Sequence, residues 1–221
     1  MEAQGIEQWI TSIPPITRAW AFASLGTSLL VECNIIAPVQ LYFSWKLAVI
    51  DLQPWRFLTT FCYFGDLSLD LAFRLYFVMR YSYLLETNSF ANKRGDYVWL
   101  LFLIASVLLA LTPFLTMLFL ANSLNGALSY IWSRRNPSVK MSLFGVITIT
   151  APYVPFVLVG LSWFLHGGFN DAISDILGIL VGHTYIFLQD YWPREMWSTT
   201  GKGSIETPRF VKRLFGQHDR T

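Results

Sequence analysis

From Asp96 to Ser129 the sequence is one apolar tract of thirty-odd residues, and that tract restricts the fold more than any other feature. A bilayer core is crossed by roughly 20 apolar residues. Leu111-Thr112-Pro113 is the natural break in the tract, because a proline disfavours helix in the residue before it. Two helices joined by a tight turn therefore fit better than one very long span. Similar apolar stretches recur, and they place spans at about 19–38, 67–85, 97–112, 114–131, 143–165 and 174–190. Only 14% of the residues are charged and 54% are hydrophobic, whereas soluble domains carry about 25% charge. Mean hydropathy is +0.45. These features predict an all-α polytopic membrane protein.

Basic residues fix the expected sidedness. With six spans both termini share one side, which collects Arg18, Lys93, Arg94, Arg134, Arg135, Lys140, Arg194, Lys202, Arg209, Lys212, Arg213 and Arg220. The other side has only Lys46 and Arg56, while Arg74 and Arg80 fall within the second span. Twelve against two obeys the positive-inside rule and makes both termini cytosolic. Five spans would move both the Arg134–Lys140 loop and the tail to the far side and shrink the asymmetry. The opening residues, with Glu2, Glu7 and Arg18 around Pro14-Pro15, lack the form of a cleavable signal peptide, so the first span is expected to serve as an uncleaved signal.

Several function classes are excluded at this stage. A net charge of +2 gives no nucleic-acid footprint. Cys33 and Cys62 cannot build a disulfide scaffold and lack metal-ligand spacing, so no metal or cofactor is expected.

The far-side loop, about 39–66, is long and aromatic: Tyr42, Phe43, Trp45, Trp55, Phe57, Phe61, Tyr63 and Phe64 fall within 23 residues. Aromatics with scattered charges favour the headgroup level, so the loop is expected in the interface; the alternative is a lid packed on the helices. Asp66, Asp70 and Arg74 fall at i, i+4 and i+8, one stripe on one helix face. They are read either as an internal ion pair or as the lining of a polar cavity, since intramembrane charges face a bundle interior or water. Arg80, nearer the cytosolic end, is expected to snorkel.

The last span is read between Asp175 and Asp190, with 14 residues between them, roughly 21 Å of helix against a core nearer 30 Å. Either the bilayer thins there or neighbouring helices shield its ends. Within it, Gly178-x-x-x-Gly182 puts two glycines on one face for close helix approach, and His183 follows directly. His183 is read as half of a catalytic pair or as a packing residue.

Trp55-Arg56 in the loop, Gly178-x-x-x-Gly182-His183 in the last span, Leu-Glu-Thr-Asn-Ser-Phe after the second span and the six-span order together carry a resemblance. Over about residues 10–193 the chain resembles the derlins, inactive relatives of rhomboid proteases in the endoplasmic reticulum membrane. Rhomboids cut with a serine in Gly-x-Ser-Gly at the start of the fourth span and a histidine in the sixth. At the expected place this chain reads A-L-T-P-F-L-T-M; Gly160-Leu161-Ser162-Trp163 lies in the fifth span, and Ser123 lies too deep. A lone histidine supplies no nucleophile, so no catalytic residue is expected.

The resemblance implies a rhomboid-like six-helix bundle with a lateral gate between the second and fifth spans, a thinned bilayer and a lumen-facing polar half-cavity. It assigns Trp55 and Arg56 to the lumenal loop element, and Gly178, Gly182 and His183 to the packing motif. Asp66, Asp70 and Arg74 fit the half-cavity. It implies retrotranslocation of misfolded lumenal and membrane proteins to the cytosol, with a Hrd-type membrane ubiquitin ligase complex and its scaffold as partners. The rivals are an adaptor that recruits without conducting and an intramembrane protease with an unorthodox nucleophile. The chain divides into a membrane domain, 1–193, and a basic cytosolic tail, 194–221. That tail has Arg213-Leu214 without the preceding Gly-x-Gly by which many derlins dock the cytosolic AAA unfoldase, so contact with the unfoldase is expected to be indirect.

Overall fold

Pro14-Pro15 starts the first long helix, since proline at the first helical position gives up an N–H that has no helical acceptor anyway. In the computed structural model, which describes residues 8, 10–114, 117–143, 147–166, 169–192 and 205–216, this helix, α1, is Pro15–Glu32. It stops at Cys33, and Asn34 turns the chain with φ 55°. The expected first span, 19–38, is thus displaced toward the N-terminus, and Pro38 opens a separate 3-10 turn, Pro38–Gln40. Helix α2, Leu69–Leu84, matches its expected span; Ser68 caps it by accepting the Leu71 N–H at 3.2 Å, with Asp70 in the first turn. A π-helical turn, Leu85–Ser89, follows.

Helix α3, Arg94–Leu111, ends at the anticipated break and passes into a 3-10 turn, Thr112–Phe114. The fourth helix differs from expectation. Helix α4 is Ala121–Arg135, not 114–131, because the Leu120 N–H is held by the Thr60 carbonyl of the loop at 3.1 Å, which sets where the helix enters. Eleven of its 15 residues are buried, so α4 forms the middle of the bundle.

The all-α expectation is corrected after α4. Strands β1, Lys140–Leu143, and β2, Ile147–Thr150, pair antiparallel with Met141 opposite Ile149. The alternating β-branched run Ile-Thr-Ile-Thr favours strand once a partner is beside it. The expected fifth span, 143–165, therefore reduces to a 3-10 turn, Ala151–Tyr153, and helix α5, Val154–His166.

Helix α6, Phe169–Ile186, has 18 residues and continues through a five-residue π turn, Phe187–Tyr191, about 34 Å in all at 1.5 Å per residue. The expected short last span, 174–190, is thus corrected. Asp175 lies in the second turn of α6 and does not mark its edge, so the length argument for thinning there falls. The short apolar helix is α5, whose 13 residues make about 20 Å.

Two helices are long and apolar enough to cross a membrane, Arg94–Phe114 and Ala172–Tyr191. The main core gathers Phe77 and Tyr81 of α2, Leu100, Ile104 and Leu108 of α3, Leu128 and Ile131 of α4, and Val181 and Ile186 of α6. Helix α7, Arg209–Leu214, rests against α3 with Val211 buried. The expected boundary at 193/194 and the tail residues Arg194, Lys202 and Arg220 lie outside the described residues.

Candidate functional site

The loop motif acts through its arginine. Arg56 is buried, and its Nη1 donates to the carbonyls of Val39 at 2.9 Å and Tyr42 at 2.7 Å. Its Nε donates to Gln53 Oε1 at 2.7 Å, and the guanidinium stacks over the Tyr42 ring at 5.1 Å. One guanidinium therefore ties together two arms of the loop, a use of its planar fork that lysine could not copy. Trp55, by contrast, is exposed. The return of the loop is stitched to α1, where Trp20 Nε1 donates to the Phe61 carbonyl at 2.9 Å and Ser28 Oγ to that of Gly65 at 2.9 Å. The segment is a folded cap hydrogen-bonded to the helices.

Burial pushes the Cys62 thiol of this cap up to about 11. The Tyr63 hydroxyl is raised far above its ordinary range, first by burial and then by its 2.6 Å hydrogen bond to Asp66 Oδ1.

The expected acidic–basic stripe is two-thirds correct. Asp70 and Arg74 share a face of α2, with Arg74 Nε donating to Asp70 Oδ2 at 2.7 Å. Asp66 precedes the Ser68 cap and leaves the stripe. It lines a separate cavity of about 400 Å³ with Glu32 and Asn34 at the end of α1.

Asp70 and Arg74 open onto a small cavity of about 50 Å³ between α2, α4, α5 and α6, space for a few water molecules. Asn122 and Asn125 of α4, Ser162 of α5 and Asp175 of α6 complete its polar lining, and Phe73, Phe77, Leu158 and Leu161 its apolar walls. The sequence reading missed Asn122, Asn125 and Asp175. The spacing of three between the asparagines was the available signal, and Asp175 was misread as a helix boundary.

The glycine motif is a backbone-to-backbone contact. A Cβ on Gly178 would overlap the Ser123 carbonyl of α4 and stand 2.9 Å from the Ala127 nitrogen. One on Gly182 would meet the Ala127 carbonyl at 2.9 Å. Gly126 answers from α4, where a Cβ would lie 2.9 Å from the Asp175 carbonyl. This reciprocal glycine was also missed; it lies among Ser123, Gly126 and Ala127, small residues at helical spacing.

The same contact sets the neighbours of His183. Its Nδ1 bonds the Tyr130 hydroxyl at 2.7 Å, and Arg134 Nε donates to that hydroxyl at 2.9 Å. Ser123 Oγ donates instead to the Ser174 carbonyl and meets Ser174 Oγ, each at 2.8 Å. Ser123 and Tyr130 are seven residues apart on α4, about 10 Å along its axis. His183 and Ser123 thus have different partners on different turns.

Glu86, inside the Leu-Glu-Thr-Asn-Ser-Phe run, is a further buried charge. Its carboxylate accepts from the N–H groups of Ile16 at 3.2 Å and Thr17 at 2.9 Å, and from Thr17 Oγ1 at 2.8 Å. It therefore closes the amino end of α1, where backbone donors have no helical acceptor. Ser82 links Thr17 Oγ1 to the Tyr97 hydroxyl, each at 2.7 Å.

A family model described as the Der1-like family matches residues 13–209. The chain belongs to the Der1-like family, the derlins. It is 39% identical to Derlin-2.2 of Arabidopsis thaliana and 38% identical to Derlin-2.1 of Zea mays, each over 96% of this chain and covering 89% and 87% of those proteins. The Probable derlin-2 homolog of Dictyostelium discoideum is 32% identical, over 96% of this chain and 84% of that protein. Derlins are rhomboid-like, membrane-associated proteins generally treated as non-catalytic, and the family relates to endoplasmic-reticulum-associated degradation.

Proposed function

We propose that this derlin is a non-catalytic retrotranslocation factor of the endoplasmic reticulum membrane. It forms part of a path by which misfolded lumenal and membrane proteins reach the cytosol for ubiquitination and proteasomal degradation. The observation that carries the reading is the cavity bounded by Asp70, Arg74, Asn122, Asn125, Ser162 and Asp175. It lies between α2 and α5, where the resemblance puts a lateral gate, and its polar groups are those a crossing segment would meet once the two helices part. An unsatisfied backbone group costs several kcal/mol in hydrocarbon, so a polar seam beside lipid lowers the barrier to a crossing segment. Helix α5, about 20 Å long, is the gate helix whose shortness favours a locally thinned bilayer.

The absence of catalysis is read from the dyad positions. The Nδ1 of His183 is engaged by Tyr130, and Ser123 is engaged by Ser174 outside any Gly-x-Ser-Gly sequence. Six spans with both termini cytosolic follow from the distribution of basic residues. A Hrd-type ligase complex with its scaffold is the partner, and the AAA unfoldase is reached through it, since Arg213-Leu214 lacks a preceding Gly-x-Gly.

Photocrosslinking tests the path. A trapped misfolded lumenal client is expected to crosslink to probes at Phe73 and Leu158, and Arg74→Leu is expected to slow its export while its capture persists. Crosslinks confined to the lumenal cap would leave an adaptor; cleavage of a transmembrane substrate, abolished in His183→Ala, would establish a protease.

A further inference from the structure

Adjacent arginines at the end of α4 are treated differently. Arg135 donates to Asp190 Oδ2 at 3.1 Å and Oδ1 at 3.2 Å, so its charge is balanced. Arg134 is exposed; it stacks over the Tyr130 ring at 5.2 Å and gives only its Nε–H to the Tyr130 hydroxyl. Among the described residues no carboxylate pairs with Arg134, and its two terminal NH₂ groups have no acceptor.

The partners of Tyr130 then determine the chemistry of His183. Arginine is always a donor, and the hydroxyl has a single hydrogen. The network is satisfied when that hydrogen goes to His183 Nδ1, which leaves Nε2–H as the ring's remaining donor, an assignment made from the hydrogen bonds. His183 is exposed on the outer face of α6, in register with Leu180 and Phe187, which are exposed too. That face is the one a membrane-spanning α6 turns to lipid. The guanidinium of Arg134 and the imidazole of His183 are thus linked through one shared hydroxyl beside that exposed face.

We propose that Arg134 and His183, braced by Tyr130, bind the phosphate diester of a membrane phospholipid. Charge complementarity selects the occupant: a guanidinium beside a low-dielectric phase requires an anion, and its fork matches two phosphate oxygens. The abundant anion at that surface is lipid phosphate. The site also has a set depth. His183 lies eight residues before Tyr191, about 12 Å along the helix, and Tyr191 and Trp192 are exposed aromatics of the kind that mark the interface. A phosphate held at His183 is drawn below that belt, which would depress the leaflet locally. The proposal requires only that α6 faces lipid and is independent of retrotranslocation.

The test is native mass spectrometry of the full chain in dodecyl maltoside. It is titrated with dioleoyl phosphatidylglycerol, and in parallel with dioleoyl glycerol, which has the same chains and no phosphate. Arg134→Gln is expected to weaken phosphatidylglycerol binding about tenfold and His183→Ala about threefold, with dioleoyl glycerol insensitive to both. Arg134→Lys keeps the charge and loses the fork, so its affinity is expected to fall between wild type and Arg134→Gln. Wild-type binding by Arg134→Gln overturns the proposal, as does an Arg134→Lys variant as weak as the Gln one. Displacement of the lipid by inorganic phosphate alone assigns the site to the free anion and overturns the lipid.

Discussion

Substituting alanine at different glycines separates close packing from helix propensity. At Gly178 the added methyl overlaps the Ser123 carbonyl and meets the Ala127 nitrogen at 2.9 Å, and both obstacles are backbone. Neither can swing aside as a side chain could, so α4 and α6 must part. Overpacking of this kind costs about 1–3 kcal/mol. The separation also loosens the Ser123–Ser174 and Tyr130–His183 hydrogen bonds, each worth about 1 kcal/mol. A total near 3 kcal/mol lowers the Tm of a chain this size by about 6–12 °C. At Gly160 of α5 nothing lies within 4 Å of the new methyl. There the helix gains the usual 0.5–1 kcal/mol of alanine over glycine, roughly 1–4 °C upward. The assay is thermal unfolding of purified protein in detergent, followed by helical ellipticity. A Gly178→Ala variant within about 2 °C of wild type, or two variants that shift alike, would refute the backbone-contact account.

The Glu86 carboxylate accepts three hydrogen bonds at the start of α1, so Glu86→Ala is expected to destabilise by about 3 kcal/mol, combining a lost cap with lost bonds to a charged acceptor. Hydrogen exchange at the Ile16 and Thr17 amides is expected to accelerate first, and unchanged protection there would contradict the capping role. Burial pushes the Cys62 thiol up to about 11, whereas Cys33 is exposed. A thiol raised above its usual range is mostly neutral at lower pH, so between pH 7 and 9 a maleimide is expected to modify exposed Cys33 much faster than partly buried Cys62, and unfolding is expected to remove the difference. Equal labelling of both cysteines in the folded protein would show that the cap is not closed over Cys62. With a membrane-impermeant maleimide on sealed microsomes, the same experiment reports the side on which α1 ends.

The helices that the sequence located well are those whose ends carry chemical markers. Ser68 and Asp70 start α2, Arg94 and Asp96 start α3, and Pro113 ends the long tract. The misread ends are those set by tertiary contact. The entry to α4 is held by the Thr60 carbonyl, a backbone partner that no side-chain pattern reveals. Asp175 looked like a terminus because a charge inside a span is costly, yet it faces a polar cavity built by three other helices. The hairpin was hidden for a different reason: apolar β-branched residues satisfy a hydropathy criterion as well as a helix does, and pairing alone distinguishes them. At the candidate site, Asp70, Arg74 and the glycines were legible because helical spacing groups them. Asn122 and Asn125 were not, because amides in an apolar helix carry no charge signal. Arg56 was recognised by its motif alone, while its partners are the carbonyls of Val39 and Tyr42.

The Glu86 clamp also has a consequence in time. The amides of Ile16 and Thr17 wait for a carboxylate that lies 70 and 69 residues further along the chain. At 5–20 residues per second, a ribosome makes that stretch in roughly 4–14 s. During that interval the first helix has left the ribosome with its amino end unfinished. It becomes complete only when the turn after α2 arrives beside it. Biogenesis of this derlin therefore has a built-in order, in which the first helix inserted is not the first one closed, and the second helix acts as its latch.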